Sequence, residues 1–129
     1  MVQGLILVDT TVIIDYLRSN NRLSTLFYKL VLSGNNLCIS SITEFEVRRG
    51  ITIMNADFTE KLLEPFEILP FDSDCAKKAS EIYINLKTKS KIIDFPDLTI
   101  GATALSHNIP MATHNLKHFD RIDGLRIWE

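Results

Sequence analysis

Three carboxylates stand where solubility does not call for them: Asp9, Glu46 and Asp97. Asp9 directly follows the apolar run Leu5-Ile6-Leu7-Val8. That puts it at the carboxyl end of an expected buried strand, where open α/β sheets build their sites. Glu46 lies four residues after Ile42 on a helical pattern, on one stripe with Gly50 and Ile53 and flanked by Phe45. A carboxylate among residues expected to be buried is costly unless something pairs with it. Asp97 opens the segment DLTIGATAL, and its i+3, i+4 and i+7 neighbours are Ile100, Gly101 and Ala104. Such a small apolar face suits close packing against a sheet, and Asp97 heads it. Carboxylates gathered at one place raise one another's pKa. A hard divalent cation such as magnesium relieves that cost. It also orients and activates water and stabilises charge on a phosphate, so phosphodiester hydrolysis is the natural chemistry.

Each acid also has a local explanation. Asp9 suits the N-cap of a helix starting near Thr10. Glu46 suits a salt bridge to Arg48 or Arg49, and Asp97 the positive end of its helix. Two nearby acids are explained locally and are left out of the site. Ser41 and Glu44 have capping-box spacing, and Asp94 precedes Pro96 as a cap. The functional reading rests on convergence, because a parallel sheet can bring all three remaining acids to one end.

The elements that must position them alternate along the chain. Strands are expected at Leu5 to Val8, Leu37 to Ser40, Phe66 to Leu69, Met111 to Thr113 and Leu125 to Trp128. Helices are expected over Thr10 to Arg18 and Leu23 to Leu32. A further helix runs from a Ser41 cap to about Asn55, another from Asp72 or Ser73 to about Lys89, and a last from Pro96 to near His107-Asn108. This alternation predicts a three-layer α/β/α fold with a mostly parallel central sheet, as a single domain over residues 1–129.

Composition sets outer limits. The 129 residues are 46% hydrophobic and 23% charged, with a net charge of −2. This is the mix of a soluble globular domain able to bury a core. The charge offers no broad basic footprint, so contact with RNA must come from local clusters or a metal. No apolar run approaches the roughly 20 residues of a membrane span. The opening MVQGLILVDTTVIIDYLR has no basic leader and is interrupted by Asp9, which argues against a signal peptide and for a cytoplasmic protein. Cys38 and Cys75 sit in apolar patterns and read as buried thiols in a reduced compartment. No G-x-S-x-G elbow or G-x-x-x-x-G-K-[ST] loop occurs, which disfavours an esterase or a nucleoside triphosphatase. His114 and His118 stand four apart, yet no Cys is near and Pro110 lies upstream. Loop or RNA-facing roles are expected for them ahead of a zinc pair.

Taken in order, these segments resemble the motifs of PIN-domain nucleases, especially VapC-type toxins. LILVDTTVIIDYLR resembles the first motif. ISSITEFEVRRG resembles the second, with Glu46 four residues before Gly50, and DLTIGATAL the third. ATHNLKHFDRIDGLRI resembles the closing Thr-x-Asn or Thr-x-Asp, then Phe, then a Gly-Leu strand. The likeness spans nearly the whole chain. It implies a magnesium-dependent endoribonuclease in which manganese can substitute, and which a small VapB-like antitoxin neutralises. It also implies a homodimer, or a hetero-oligomer with the antitoxin, whose tail reaches the active site. It carries Asp9, Glu46 and Asp97 over as catalytic and metal-binding acids, Glu46 directly or through water. Thr10 and Thr113 become supporting hydroxyls. The family's fourth acidic position falls on Asn115, which adds no charge.

Two other readings compete. A PIN fold that binds RNA or a partner without cleaving would have no need of the three acids. A receiver-type phosphoacceptor domain resembles a pattern with a second acid beside the first and an Asp after the third strand. Here Thr10 follows Asp9, and Pro70 follows the third strand.

Overall fold

A computed structural model describes residues 4–129; residues 1–3 of the expected 1–129 domain lie outside the described residues. Four short strands, β1 (Ile6–Val8), β2 (Leu37–Ser40), β3 (Glu67–Leu69) and β4 (Met111–Ala112), form one sheet in the order β3-β2-β1-β4. Every neighbouring pair is parallel, with Leu7 opposite both Cys38 and Met111, and Ser40 opposite Leu69. Parallel neighbours need crossover connections. These are supplied by α1 (Thr10–Arg18) and α2 (Leu26–Leu32), by α3 (Ser41–Arg48) and α4 (Ala56–Leu63), and by α5 (Ser73–Thr88) and α6 (Phe95–Ser106). A one-turn α7 (Leu116–Phe119) follows β4.

The strands are buried on both faces, which is why they read as continuous apolar runs. Alternation sorts their side chains. Leu7, Cys38, Leu69 and Met111 face a core completed by Ile82 and Leu86 of α5, Ile100 and Ala104 of α6, and Phe119 of α7. Ile6, Val8, Ile39 and Ala112 face the opposite core, with Val12 and Ile13 of α1, Phe27 and Leu30 of α2, Val47 of α3 and Leu63 of α4. The expected three layers are therefore present. Both cysteines are free and buried, as expected. Burial, and then the nearby Glu67 carboxylate, push the Cys38 thiol up to about 12.

Several boundaries differ from the sequence reading. The Leu23 to Leu32 segment divides into a 3-10 turn (Arg22–Ser24) and α2, because Thr25 becomes the N-cap and accepts from Tyr28 N. Ser40, not Ser41, caps α3: its Oγ accepts from Thr43 N at 3.0 Å. The start thus shifts by one residue, and Glu44 leaves the capping-box position to pair with Arg48 Nε at 2.9 Å. Helix α3 stops at Arg48 and does not run to Asn55. The Asn55 side chain instead accepts from Thr52 N and donates to Gly50 O, holding a non-helical turn. The stripe expected to bury Glu46 is consequently wrong. Gly50 is exposed, Phe45 is 60% exposed and Ile53 fully so. The last expected strand reduces to a single parallel bridge between Met111 and Ile127.

From β1 the chain steps outward to β2 and β3, then returns to the far side of β1 as β4. Strand order therefore reverses between β1 and β4, and the crevice beyond their carboxyl ends is the place such sheets offer a ligand.

Candidate metal centre

Asp9 and Thr113 are the residues that follow β1 and β4 into this crevice. Asp9 N donates to Ala112 O at 2.9 Å, continuing the ladder one residue past the strands. Asp9 is 1% exposed. Although Asp9 occupies the N-cap position of α1, its side chain makes no capping bond. Its Oδ2 instead accepts from Thr11 Oγ1 at 2.7 Å and Thr113 Oγ1 at 2.8 Å. Its Oδ1 is buried and has no hydrogen-bond partner. A buried carboxylate oxygen left without a donor is expensive. A cation satisfies it, so the donor set fits a hard metal ion.

Glu46 approaches from α3. Thr10 Oγ1, at the start of α1, donates to Glu46 Oε1 at 2.6 Å and lies 2.9 Å from the buried Thr43 Oγ1. Arg49 reaches Glu46 Oε2 only at 3.8 Å, and Arg48 turns away to Glu44 and Glu60. The salt-bridge explanation of Glu46 thus survives only as a long contact with a largely exposed arginine.

Asp97 sits in the first turn of α6, whose residues from Asp97 to Ala104 are all buried. The sequence expectation that it heads a buried face holds. Asp94 caps this helix as expected, its Oδ1 accepting from Asp97 N at 3.3 Å. Burial pushes the Asp97 carboxyl up to about 6; the neighbouring Asp94 and Asp9 push the same way, and a hydrogen bond with His118 opposes them. Asn115 Nδ2 donates to Asp97 Oδ2 at 2.9 Å, and His118 Nδ1 lies 2.7 Å from the same oxygen.

Asp9, Glu46 and Asp97 line one open cleft of about 530 Å³ together with Thr10, Thr11, Ile14, Asp15, Arg18 and His114. The three sequence-predicted acids are therefore brought together. Thr10 supports Glu46, Thr113 supports Asp9 and Asn115 supports Asp97. Sequence reasoning missed two residues. Thr11, two positions from Asp9, has the spacing of a local side-chain turn. His118 lies three positions beyond Asn115, the spacing that stacks side chains on one helical turn. The two histidines do not pair: His114 Nε2 lies 3.3 Å from Asp15, and His118 is on Asp97.

A parallel α/β sheet with an acidic cleft at its switch point is the class that fold and site define. The chain belongs to the PIN domain family, whose model matches residues 6–125. Ribonuclease VapC1 of Methanocaldococcus jannaschii is 39% identical over 127 residues, covering 96% of this chain and 87% of that protein. The tRNA(fMet)-specific endonuclease VapC of Salmonella typhimurium is 31% identical over 101 residues, 74% of this chain and 76% of that one. Among solved structures, DNA-bound VapBC from Salmonella typhimurium superposes with a TM-score of 0.84 at 26% identity, covering 95% of this chain and 96% of that one. The family read from four short motifs is the family found.

Proposed function

We propose that this chain is a metal-dependent endoribonuclease, the toxin of a toxin–antitoxin pair, with Asp9, Glu46 and Asp97 as its catalytic acids. The observation that carries this reading is the unpartnered, buried Asp9 Oδ1 in a cleft shared with Glu46 and Asp97. The VapC relatives named above supply the substrate class and the antitoxin partner. The receiver alternative gives way to the family match.

Asp9 and Asp97 would hold a divalent ion, magnesium or manganese, and Glu46 would complete the set directly or through water. When bound, the ion supplies Lewis acidity toward a phosphate oxygen and lowers the pKa of attacking water. Thr11 and Thr113 fix the Asp9 carboxylate by occupying Oδ2, so that Oδ1 faces its ligand. Thr10 fixes Glu46, which is placed to orient a water and take its proton. Arg18 is the cation on the cleft wall, and it meets an RNA phosphate. The substrate is RNA, which the chain approaches without a net positive field. The antitoxin is a small VapB-like protein. An apolar groove of about 380 Å³ lined by Phe27, Val31, Leu37, Leu62 and Phe66 offers it a surface away from the acids. The chain works as one catalytic unit and as a homodimer in the cytoplasm. No helix among the described residues is long and apolar enough to cross a membrane.

The test is cleavage of total cellular RNA by the purified chain with magnesium, with a chelator, and by Asp9→Asn. Metal-dependent cleavage lost in the variant supports the reading. Metal-independent cleavage, or RNA bound without cleavage at saturating metal, overturns it; the second result leaves the non-catalytic binding module.

A further inference from the structure

The donors considered so far are oxygens, yet a nitrogen touches one of them. Asp94, Asp97 and His118 each offer one ligand atom, and the three atoms lie within 4.8 Å of one another. His118 Nδ1 is 2.7 Å from Asp97 Oδ2. Two donors at right angles on one ion, with bonds of about 2.1 Å, stand about 3 Å apart. The observed pair is close to that spacing before any ion is placed.

The fold builds this approach. Helix α7 is a single turn, but Phe119, the residue after His118, is buried in the core. Its segment closes on α6 over Gly101: a Cβ there would meet Ile122 Cδ1 at 2.6 Å and Phe119 ring carbons at 3.6 Å. The missing side chain lets the α7 segment lie on α6, one turn from Asp97. In the cleft that Asp97 lines with Asp9, the buried Asp9 Oδ1 still lacks a partner. That oxygen points to a ligand independently of the His118 contact.

We propose that His118 Nδ1 is a ligand of the metal centre on the Asp97 side, so that the centre favours a first-row transition ion over the magnesium that oxygens alone would take. The inference rests on the metal-dependent reading of the same cleft. Magnesium takes oxygen donors and gives up its waters reluctantly. Transition ions accept imidazole nitrogen readily. An imidazole coordinates through an unprotonated nitrogen, so the contacts of His118 Nδ1 with Asp97 Oδ2 at 2.7 Å and Asn115 Nδ2 at 2.8 Å would give way to the ion. His118 is about one third exposed on its side chain, so substitution there leaves the core intact.

The probe is manganese, bound to the full-length protein and read by pulsed electron paramagnetic resonance for directly coordinated imidazole nitrogen. Titration calorimetry with manganese and magnesium runs in parallel. The expected result is nitrogen coupling in the parent and in His114→Ala, and none in His118→Ala with manganese still bound. His118→Asp replaces nitrogen by oxygen. It should lower the manganese-over-magnesium affinity ratio by at least about tenfold, since even outer-sphere partners of metal ligands are worth that much. Manganese that binds in an Asp9-dependent way without imidazole coupling overturns the inference and leaves the oxygen centre standing. Coupling lost in His114→Ala but kept in His118→Ala also overturns it. No binding of either ion overturns both this inference and the metal-dependent reading beneath it.

Discussion

Thr113 Oγ1 donates to Asp9 Oδ2 over 2.8 Å, joining the ends of β4 and β1 across 104 positions of sequence. The bond spans the point where strand order reverses. It occupies one carboxylate oxygen and leaves the other for a ligand. Thr113→Val removes the donor and keeps the shape. Loss of a hydrogen bond to a charged group costs about 1.5–3 kcal/mol. A lower denaturant midpoint with an unchanged slope, together with weaker metal binding, is expected, and Thr113→Ser should restore most of both.

Asp9→Asn and Asp97→Asn each keep the volume and remove a charge proposed to hold the ion. Cleavage of cellular RNA should fall by more than about a hundredfold, beyond the loss typical of outer-sphere partners. Glu44→Gln is the control. Glu44 pairs with Arg48 on the outside of α3, so activity should stay near that of the parent. A dead Glu44→Gln, or an active Asp97→Asn, would remove the acidic centre assigned here.

Divalent metal should stabilise the fold, because the proposed site would bind the ion in the native cleft and not in the unfolded chain. At a hundredfold excess over Kd the gain is about 2.7 kcal/mol. For a domain of this size that is a rise in Tm on the order of 10 °C. Calorimetric scans with and without millimolar magnesium or manganese measure it, and Asp9→Asn should abolish the shift.

The Asp97 carboxyl, held up at about 6 chiefly by burial, sets a pH dependence of the metal-free protein. A raised acid pKa means that the folded state binds the proton more tightly than the unfolded chain. The associated stability is fully present below about pH 4 and is lost as pH rises through about 6. Other groups titrate in this range, so the measurement is the difference between parent and Asp97→Asn. The variant should gain stability relative to the parent as pH rises from 4 to 7, read by urea denaturation. Metal binding to the parent should weaken as pH falls below 6, because the proton competes for Asp97.

Asn115→Asp adds a carboxylate beside Asp97 Oδ2, where the amide now donates. Without metal, two like charges meet and stability falls at neutral pH. With metal, the extra charge should tighten binding. Paired calorimetric titrations and denaturation curves separate the two effects, and weaker metal binding would show that the carboxylate does not reach the ion.

The amino-acid order alone determined the class of this protein. Runs such as Leu5 to Val8 are buried on both faces because helices cover both sides of a parallel sheet, and that burial is written as an unbroken apolar stretch. Asp9 and Asp97 were legible for the same reason, since each marks the point where a buried pattern meets a charge. Glu46 was selected for a mistaken reason. Its stripe to Gly50 and Ile53 does not exist, because Asn55 holds a turn that a helical count carries straight through. What places Glu46 in the cleft is Thr10, a partner 36 positions away. The sequence offered His118 only as a loop or RNA-facing residue paired by spacing with His114, because its contact depends on Asp97, 21 positions earlier, and on Gly101 letting one segment lie on another. Local pattern records which face of an element is buried, since burial is set by periodicity along the chain. Which side chains meet across the sheet's switch point is set by long-range packing, and only the tertiary structure decided that.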